Sequence, residues 1–514
     1  MNNLIQKAKS SKQEAIVGAL ILVLTSLYLL TRFINLTIIP VFADEAIYLR
    51  WAQVMQAVPS LRFLPLSDGK QPLFMWLVIP FLKIFSDPLF AGRVLSVLTG
   101  LGGILGIYFL CYLLFKNKII SLFALILYLI TPYIYFFNRM ALPDNMLSVL
   151  FVWSLIFLIL TVKYLRLDTA MIAGILIGLA WLTKSPAIFL FALMPITILL
   201  FSFSKEKKNL QMAKLAGYWA IIGIFSFTIY NILRLGAEFH MIAIRNRDYV
   251  FTITDVLQHP FNPLIGNLKS VINWFWIWLT PVISVLGVTG MFLSIKKSWR
   301  SGLFLLLCFM LPLIAQSLIA KVYTARYVLF LVPFWLIFSA FTIEKIFITL
   351  KNKILTTAIL VGIFIFPVYQ ITLLMFNPQK AWIPANEREG YLQLWTAGYG
   401  INESAEYIKS IALSNKVLVG TEGYFGTLPD GLQIYLNQIP NITVIGVGYP
   451  IKETPKQLKD GLIDNRVFLL VNDSRFLIAN PNDFNLVAKY PKAVSRDGTI
   501  ESLLFFELLK NYEN

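Results

Sequence analysis

The sequence predicts a polytopic α-helical membrane protein carrying a small C-terminal α/β domain. Three observations lead there. Mean hydropathy is +0.71 and only 14% of residues are charged, too apolar for a soluble globular chain. Apolar blocks of about 20 residues, enough to cross a bilayer core, recur through the first three quarters. Finally, the net charge of +17 is unevenly divided: residues 1–384 carry +20 and residues 385–514 carry −3. The basic excess belongs to the membrane part, where it orients helices and meets anionic lipid. Nucleic-acid binding is not indicated.

About eleven transmembrane helices are predicted, at 15–34, 89–115, 119–137, 144–162, 169–183, 186–203, 212–234, 274–295, 301–320, 327–344 and 354–375. The first lacks the short core and small-residue cleavage site of a signal peptide and reads as a retained helix. Cys111 and Cys308 lie inside apolar runs, so no disulfide framework is implied. Basic connectors fall at every second junction: Lys116/Lys118, Lys163/Arg166, Lys205/Lys207/Lys208/Lys214, Lys296/Lys297/Arg300 and Lys345/Lys351/Lys353. With Lys7, Lys9 and Lys12 they form one cytoplasmic set.

The opposite face then receives loop 35–88, "NRMALPDNM" (138–146), "LTKSP" (182–186), loop 235–273 and "AKVYTARY" (320–327). An odd helix count places the C-terminal domain on this extracytoplasmic side. Within loop 35–88, Ile47, Trp51, Val54, Met55 and Val58 recur at helical spacing, with Arg50, Gln53 and Gln56 turned away. That pattern predicts an amphipathic helix lying in the membrane interface. Segment 71–85, broken by Pro72 and Pro80, reads as a second interfacial or re-entrant piece. Loop 235–273 is long enough to act as a lid.

The composition changes near Asn377, so the domains are expected at 1–376 and 377–514. Helices are predicted at 402–412 and near 430–437, and strands at 417–420, 442–447, 467–471 and 502–508. Short apolar strands alternating with helices predict a small, partly parallel sheet. The loop "GTEGYFG" (420–426) lacks the spacing of a nucleotide-binding motif and reads as a strand-to-helix turn.

Charges beside a bilayer are costly, so a set of them on one face points to a functional site. Each also has a structural reading. Asp44 and Asp144 suit helix starts as caps, Glu45 complements a helix dipole, and Lys70, Lys184 and Arg326 can snorkel to the interface. The combination is more informative. Asp44, Glu45 and Asp144 join Lys70, Arg139, Lys184, Arg245, Arg247, Lys321 and Arg326 from separate loops at one level. A carboxylate can act as base on a hydroxyl, and fixed cations can stabilise a leaving phosphate. No His/Cys metal constellation is present, and His240 and His259 read as surface or packing residues.

The motifs "FADEAIYLRWAQ", "DGKQPLFMWL", "AGRVLSVLTG", "NRMALPDNM", "GLAWLTKSPA" and "ARYVLFLVP" occur in order across roughly residues 40–335. Together they resemble the GT-C glycosyltransferases, in the branch of the protein O-mannosyltransferases and the aminoarabinose transferase of lipid A (glycosyltransferase family 39/83-like). The resemblance implies an inverting transfer of a sugar from a polyprenyl-monophosphate donor to a hydroxyl acceptor outside the cytoplasm. It implies Asp44 as catalytic base, with Glu45 the weaker candidate beside it. It further implies Lys70 and Lys184 as donor-phosphate contacts, with Arg326 and Arg139 as further ones, and Asp144 on the acceptor side. No obligatory cofactor or metal is implied, although the paired carboxylates leave room for a divalent cation. Gln71 stands where the family usually has Pro, Pro143 is unusual in its motif, and the C-terminal domain is not a β-trefoil. The rival reading is a lipid or glycan transporter without transfer chemistry; such proteins often carry internal repeats, and none is found here.

Overall fold

A computed structural model of the chain describes residues 2–204, 206–479 and 481–509. Lys205, counted above among the cytoplasmic lysines, lies outside the described residues, and the side chains of Lys7, Lys9 and Lys12 are likewise not described. The chain forms two compact units. One comprises Met1–Ile34, Phe63–Phe74 and Ser96–Pro384; the other comprises Asn35–Arg62, Met75–Leu95 and Ala385–Asn514. Two pieces of loop 35–88 thus cluster with the C-terminal domain.

The first unit is helical. Among the described residues seven helices are long and apolar enough to cross a membrane: Glu14–Phe33, Pro88–Phe115, Pro143–Tyr164, Lys208–Leu235, Trp299–Ile319, Ala325–Thr349 and Lys353–Phe376. An eighth is counted if Phe261–Trp278 and Pro281–Lys297, bent by 116°, form one span. The eleven predicted ranges all fall on helices, but not on eleven uninterrupted ones, and proline is the main reason. A proline lacks the N–H that would continue the helix ladder and crowds the preceding turn. Range 119–137 breaks at Pro132 into Lys118–Ile130 and Pro132–Phe137. Range 186–203 divides into Ser185–Ile188, Phe189–Ile196 and Thr197–Leu200, with Pro186 and Pro195 inside it. The bend at 279–280 precedes Pro281 and leaves Thr280 at φ +70°, strained for a β-branched residue. Leu167–Thr183 has only 17 residues.

Loop 235–273 is also mostly helical, with Met241–Tyr249, Ile253–Gln258 and the first turns of Phe261–Trp278. Its polar stretches hid this periodicity. Helices Pro281–Lys297 and Val332–Thr349 pack against each other at Gly290, where a Cβ would collide with the Phe338 carbonyl oxygen.

The second unit is built on a five-stranded sheet: β1 Val417–Thr421, β2 Ile442–Gly446, β3 Arg466–Asn472, β4 Phe484–Pro491 and β5 Ser502–Leu508. The order is β2-β1-β3-β5-β4. The first three are parallel, with Val419 opposite Val444 and Phe468; β5 and β4 add antiparallel pairings. Strand β4 was not predicted. It is an edge strand with an irregular register near Leu486–Ala488, carrying Lys489 and Pro491, residues that blunt edges and weaken the strand signal. One face of the sheet buries Leu458, Val467, Leu469, Val471, Leu504 and Phe506. On the other, Tyr407 of helix Ile401–Ala412 packs edge-on against Phe468 and Phe505.

The predicted amphipathic helix is present as Ala43–Ala57, but its apolar face is covered by protein. Ile47, Trp51 and Met55 are buried, the helix packs on Asp430–Tyr435, and Trp51 meets Phe425 at 5.8 Å. Gln53, expected to face away, is buried and donates to the Ile434 carbonyl at 2.8 Å.

Replacing Gly290 with alanine is expected to destabilise the helix pair by about 1–3 kcal/mol through overpacking. A lowered apparent unfolding midpoint of the detergent-solubilised protein checks this, and an unchanged midpoint refutes the close-approach argument.

Candidate active site

The acidic pair opens helix Ala43–Ala57, with Asp44 and Glu45 in its first turn, where carboxylates complement the helix dipole. Their environments differ. Glu45 is fully buried, and Arg93 beside it is 1% exposed. Arg93 Nη2 and Nε donate to the two Glu45 carboxylate oxygens at 2.7 and 2.9 Å, a two-point pairing that fixes both side chains. Glu45 Oε2 also accepts from the Phe42 backbone N–H at 3.1 Å, so Glu45 closes the helix start as well as pairing with Arg93. Arg93 extends the lock by donating to the carbonyls of Leu36, Ile39 and Pro40 at 3.0, 2.7 and 3.1 Å. Asp44 is only partly buried. Glu45 thus has a structural task that accounts for its charge.

In the first unit, a cavity of about 300 Å³ collects Lys70, Lys184, Arg245, Asp68, Tyr249 and Tyr327 with apolar walls including Ile188, Phe189, Ile319 and Val322. Lys70 and Lys184, predicted as phosphate contacts from separate loops, therefore meet in one space. Lys70 donates to the Tyr249 hydroxyl at 2.8 Å and lies 4.0 Å from Asp68. Lys184 pairs with Asp144 and sits 4.3 Å from the Tyr327 ring centre, a cation–π contact. Burial pushes the Lys184 ammonium down to about 8; Asp144 opposes this shift, while Arg326 and Lys70 add to it. Asp68 is shared with Arg245, which reaches it at 2.6 Å and Asp248 at 2.7 Å. Gln71 donates to Ser185 Oγ at 2.8 Å and so ties the two lysine-bearing segments together.

The remaining predicted residues scatter. Asp144, placed by the resemblance on the acceptor side, is buried at the start of helix Pro143–Tyr164 and pairs with Lys184. Arg139 is buried, donates to the Tyr135 hydroxyl and the Ile34 carbonyl, and does not line the cavity. Arg326 also does not line it, although its charge is felt at Lys184. Arg247 and Lys321 are exposed, and Lys321 donates to the Arg247 carbonyl. Asp68, Tyr249, Tyr327 and Arg93 were not singled out. Asp68 and Arg93 lie within recognised motifs, whereas nothing in the sequence pairs Tyr249 with Lys70.

Residues 69–230 match the dolichyl-phosphate-mannose-protein mannosyltransferase family. The fold is similar to that of ArnT from Cupriavidus metallidurans bound to undecaprenyl phosphate. That match has a TM-score of 0.57 and 14% identity, covering 96% of this chain and 98% of that one. It is also similar to the archaeal oligosaccharyltransferase AglB from Archaeoglobus fulgidus in complex with an inhibitory peptide and a dolichol-phosphate. There the TM-score is 0.52 and the identity 11%, covering 98% of this chain and 75% of that one. No curated protein matches the chain.

Glu45→Gln is expected to leave Arg93 buried without its counter-charge and to cost about 3–5 kcal/mol, seen as a large fall in the unfolding midpoint. Asp44→Asn, at a partly buried position, should move the midpoint far less. Equal losses in the two variants would contradict the structural assignment of Glu45.

Proposed function

We propose that this GT-C superfamily membrane protein transfers a sugar from a polyprenyl-monophosphate-linked donor to a hydroxyl acceptor at the extracytoplasmic membrane face, inverting the anomeric centre. The observation that carries the reading is the convergence of Lys70 and Lys184 on one apolar-walled cavity. Fixed ammonium groups bind and stabilise a phosphate, and the apolar walls suit a prenyl chain. The motif match and the fold similarity to ArnT bound to undecaprenyl phosphate support the same donor class.

In this mechanism Asp44 takes the proton of the acceptor hydroxyl as general base. The acceptor oxygen attacks the anomeric carbon from the face opposite the phosphate. The bond from that carbon to the phosphate oxygen breaks, and its electron pair stays on the lipid phosphate. Lys70 and Lys184 stabilise the charge that develops there. The assignment of Asp44 rests on its place in "FADEAIYLRWAQ" and on Glu45 already being committed to Arg93. A membrane orientation with the C-terminal domain outside follows from the basic connectors.

Transfer from a radiolabelled polyprenyl-phosphate sugar tests the reading directly. Asp44→Asn should abolish transfer while polyprenyl-phosphate binding persists; full transfer by this variant refutes the base. Lys70→Met should weaken lipid-phosphate binding about tenfold or more, the worth of a charged hydrogen bond. Lys184→Met is a poorer probe, because it also leaves Asp144 buried without its partner.

A pH dependence follows from Lys184. Its ammonium titrates at about 8 in the free protein, and a bound phosphate favours the charged form. Lipid-phosphate affinity should therefore be fully present below that pH. Above it the affinity should fall by up to about tenfold per pH unit until the bound-state value is reached. Dissociation constants for polyprenyl phosphate measured from neutral to mildly alkaline pH check this; flat affinity contradicts it.

A further inference from the structure

The parallel strands of the second unit change winding direction between β1 and β3: the chain passes from β1 to β2 on one side, then crosses to β3 on the other. In open α/β sheets the crevice outside the carboxyl ends of the strands at such a point is a recurrent ligand site. Here Glu422 follows β1, and Asn472 and Arg475 end or follow β3.

Glu422 is 2% exposed. It accepts from the Asn472 backbone N–H at 2.7 Å, from the Asn472 amide at 2.6 Å and from Arg475 Nη1 at 3.1 Å. The Arg475 guanidinium is held between two rings, 4.0 Å from the Trp395 centroid and 4.3 Å from that of Tyr449. Its Nε and Nη2 have no hydrogen-bond partner among the described residues. The guanidinium is therefore oriented by a buried carboxylate and two aromatic faces, with one donor edge left over.

Around it the chain presents large rings outward. Tyr424 is 75% exposed and Tyr449 61%. Their loops are joined by the Gly423 N–H donating to the Gly448 carbonyl at 3.1 Å. Both glycines are at positive φ, +69° and +85°, which other residues rarely adopt. The glycines thus pin two aromatic-bearing loops together.

We propose that this edge of the sheet is a carbohydrate-binding site, fit for the glycan portion of the acceptor; in naming that ligand it rests on the transferase reading. Exposed tyrosine rings take the C–H face of a sugar ring, and a planar donor edge takes neighbouring hydroxyls. Glu422 neutralises Arg475, and residues 385–514 carry −3 overall, so a hydroxyl-rich ligand is favoured over an anion. A ring set serving only as a lipid anchor would have no use for an ordered Glu–Arg layer beneath it.

The test uses the full-length protein in nanodiscs with mannotriose, chitotriose and galactotriose as probes, followed by saturation-transfer NMR. At least one should bind saturably. Tyr424→Ala and Tyr449→Ala should each weaken it about tenfold, the worth of a lost aromatic contact. Arg475→Lys should weaken it as well, because it keeps the charge but loses the planar donor edge. Binding by none of the three sugars, or unchanged binding in all variants, overturns the proposal. Polyprenyl-phosphate binding, measured in parallel, separates the two readings. If it fails while sugar binding persists, the transferase reading falls and the site stands; if sugar binding alone fails, the site falls.

Discussion

A charge removed from water must find an opposite charge or leave the interior, and the Glu45–Arg93 pair meets that constraint most fully. Two side chains with almost no exposure face each other through two short hydrogen bonds. Losing either partner would strand the other in a medium where an unpaired ion is several kcal/mol unfavourable. Arg93 also gathers three carbonyls from the chain entering helix Ala43–Ala57, so the pair sets where that helix begins. Asp44 is therefore presented by a rigid first turn, and Glu45 serves as its support.

The cavity of the first unit resolves the same constraint less completely. Lys70, Lys184 and Arg245 line it with Asp68, while Asp144 reaches Lys184 and Asp248 reaches Arg245. Tyrosine contacts at Lys70 and Lys184 make up part of the missing solvation, since ring faces attract cations without cancelling their charge. The lowered proton affinity of Lys184 reflects its burial, which Asp144 only partly offsets. In the second unit, by contrast, Glu422 and Arg475 are matched, and the exposed features there are rings.

Much of this was legible in the sequence because it depends on local pattern. Apolar runs located the membrane helices, and alternation with turn residues located four of five strands. Six ordered motifs singled out Lys70 and Lys184, which the fold brings to one cavity. Two of the misreadings share one cause, which is that burial is not a local property. The helix Ala43–Ala57 has an amphipathic face that suits lipid, yet helix Asp430–Tyr435 covers it. Arg139 resembles an available cation and is sealed against Tyr135 and Ile34. Segment 235–273 looks like a loop because its helices are short and polar.

The sequence by itself determined which segments are long apolar helices, the position of the helix breaks and the motif carrying the acidic pair. These follow from hydropathy, from proline and from residue order. Only the tertiary structure decided which acid of the pair is structural, because Arg93 is 48 residues away and no spacing rule links them. It also decided that Lys70 and Lys184 share one cavity, and that the guanidinium of Arg475 lies between Trp395 and Tyr449. Such meetings are set by packing and by the pairing of buried charge, terms that arise once distant segments have excluded water from one another.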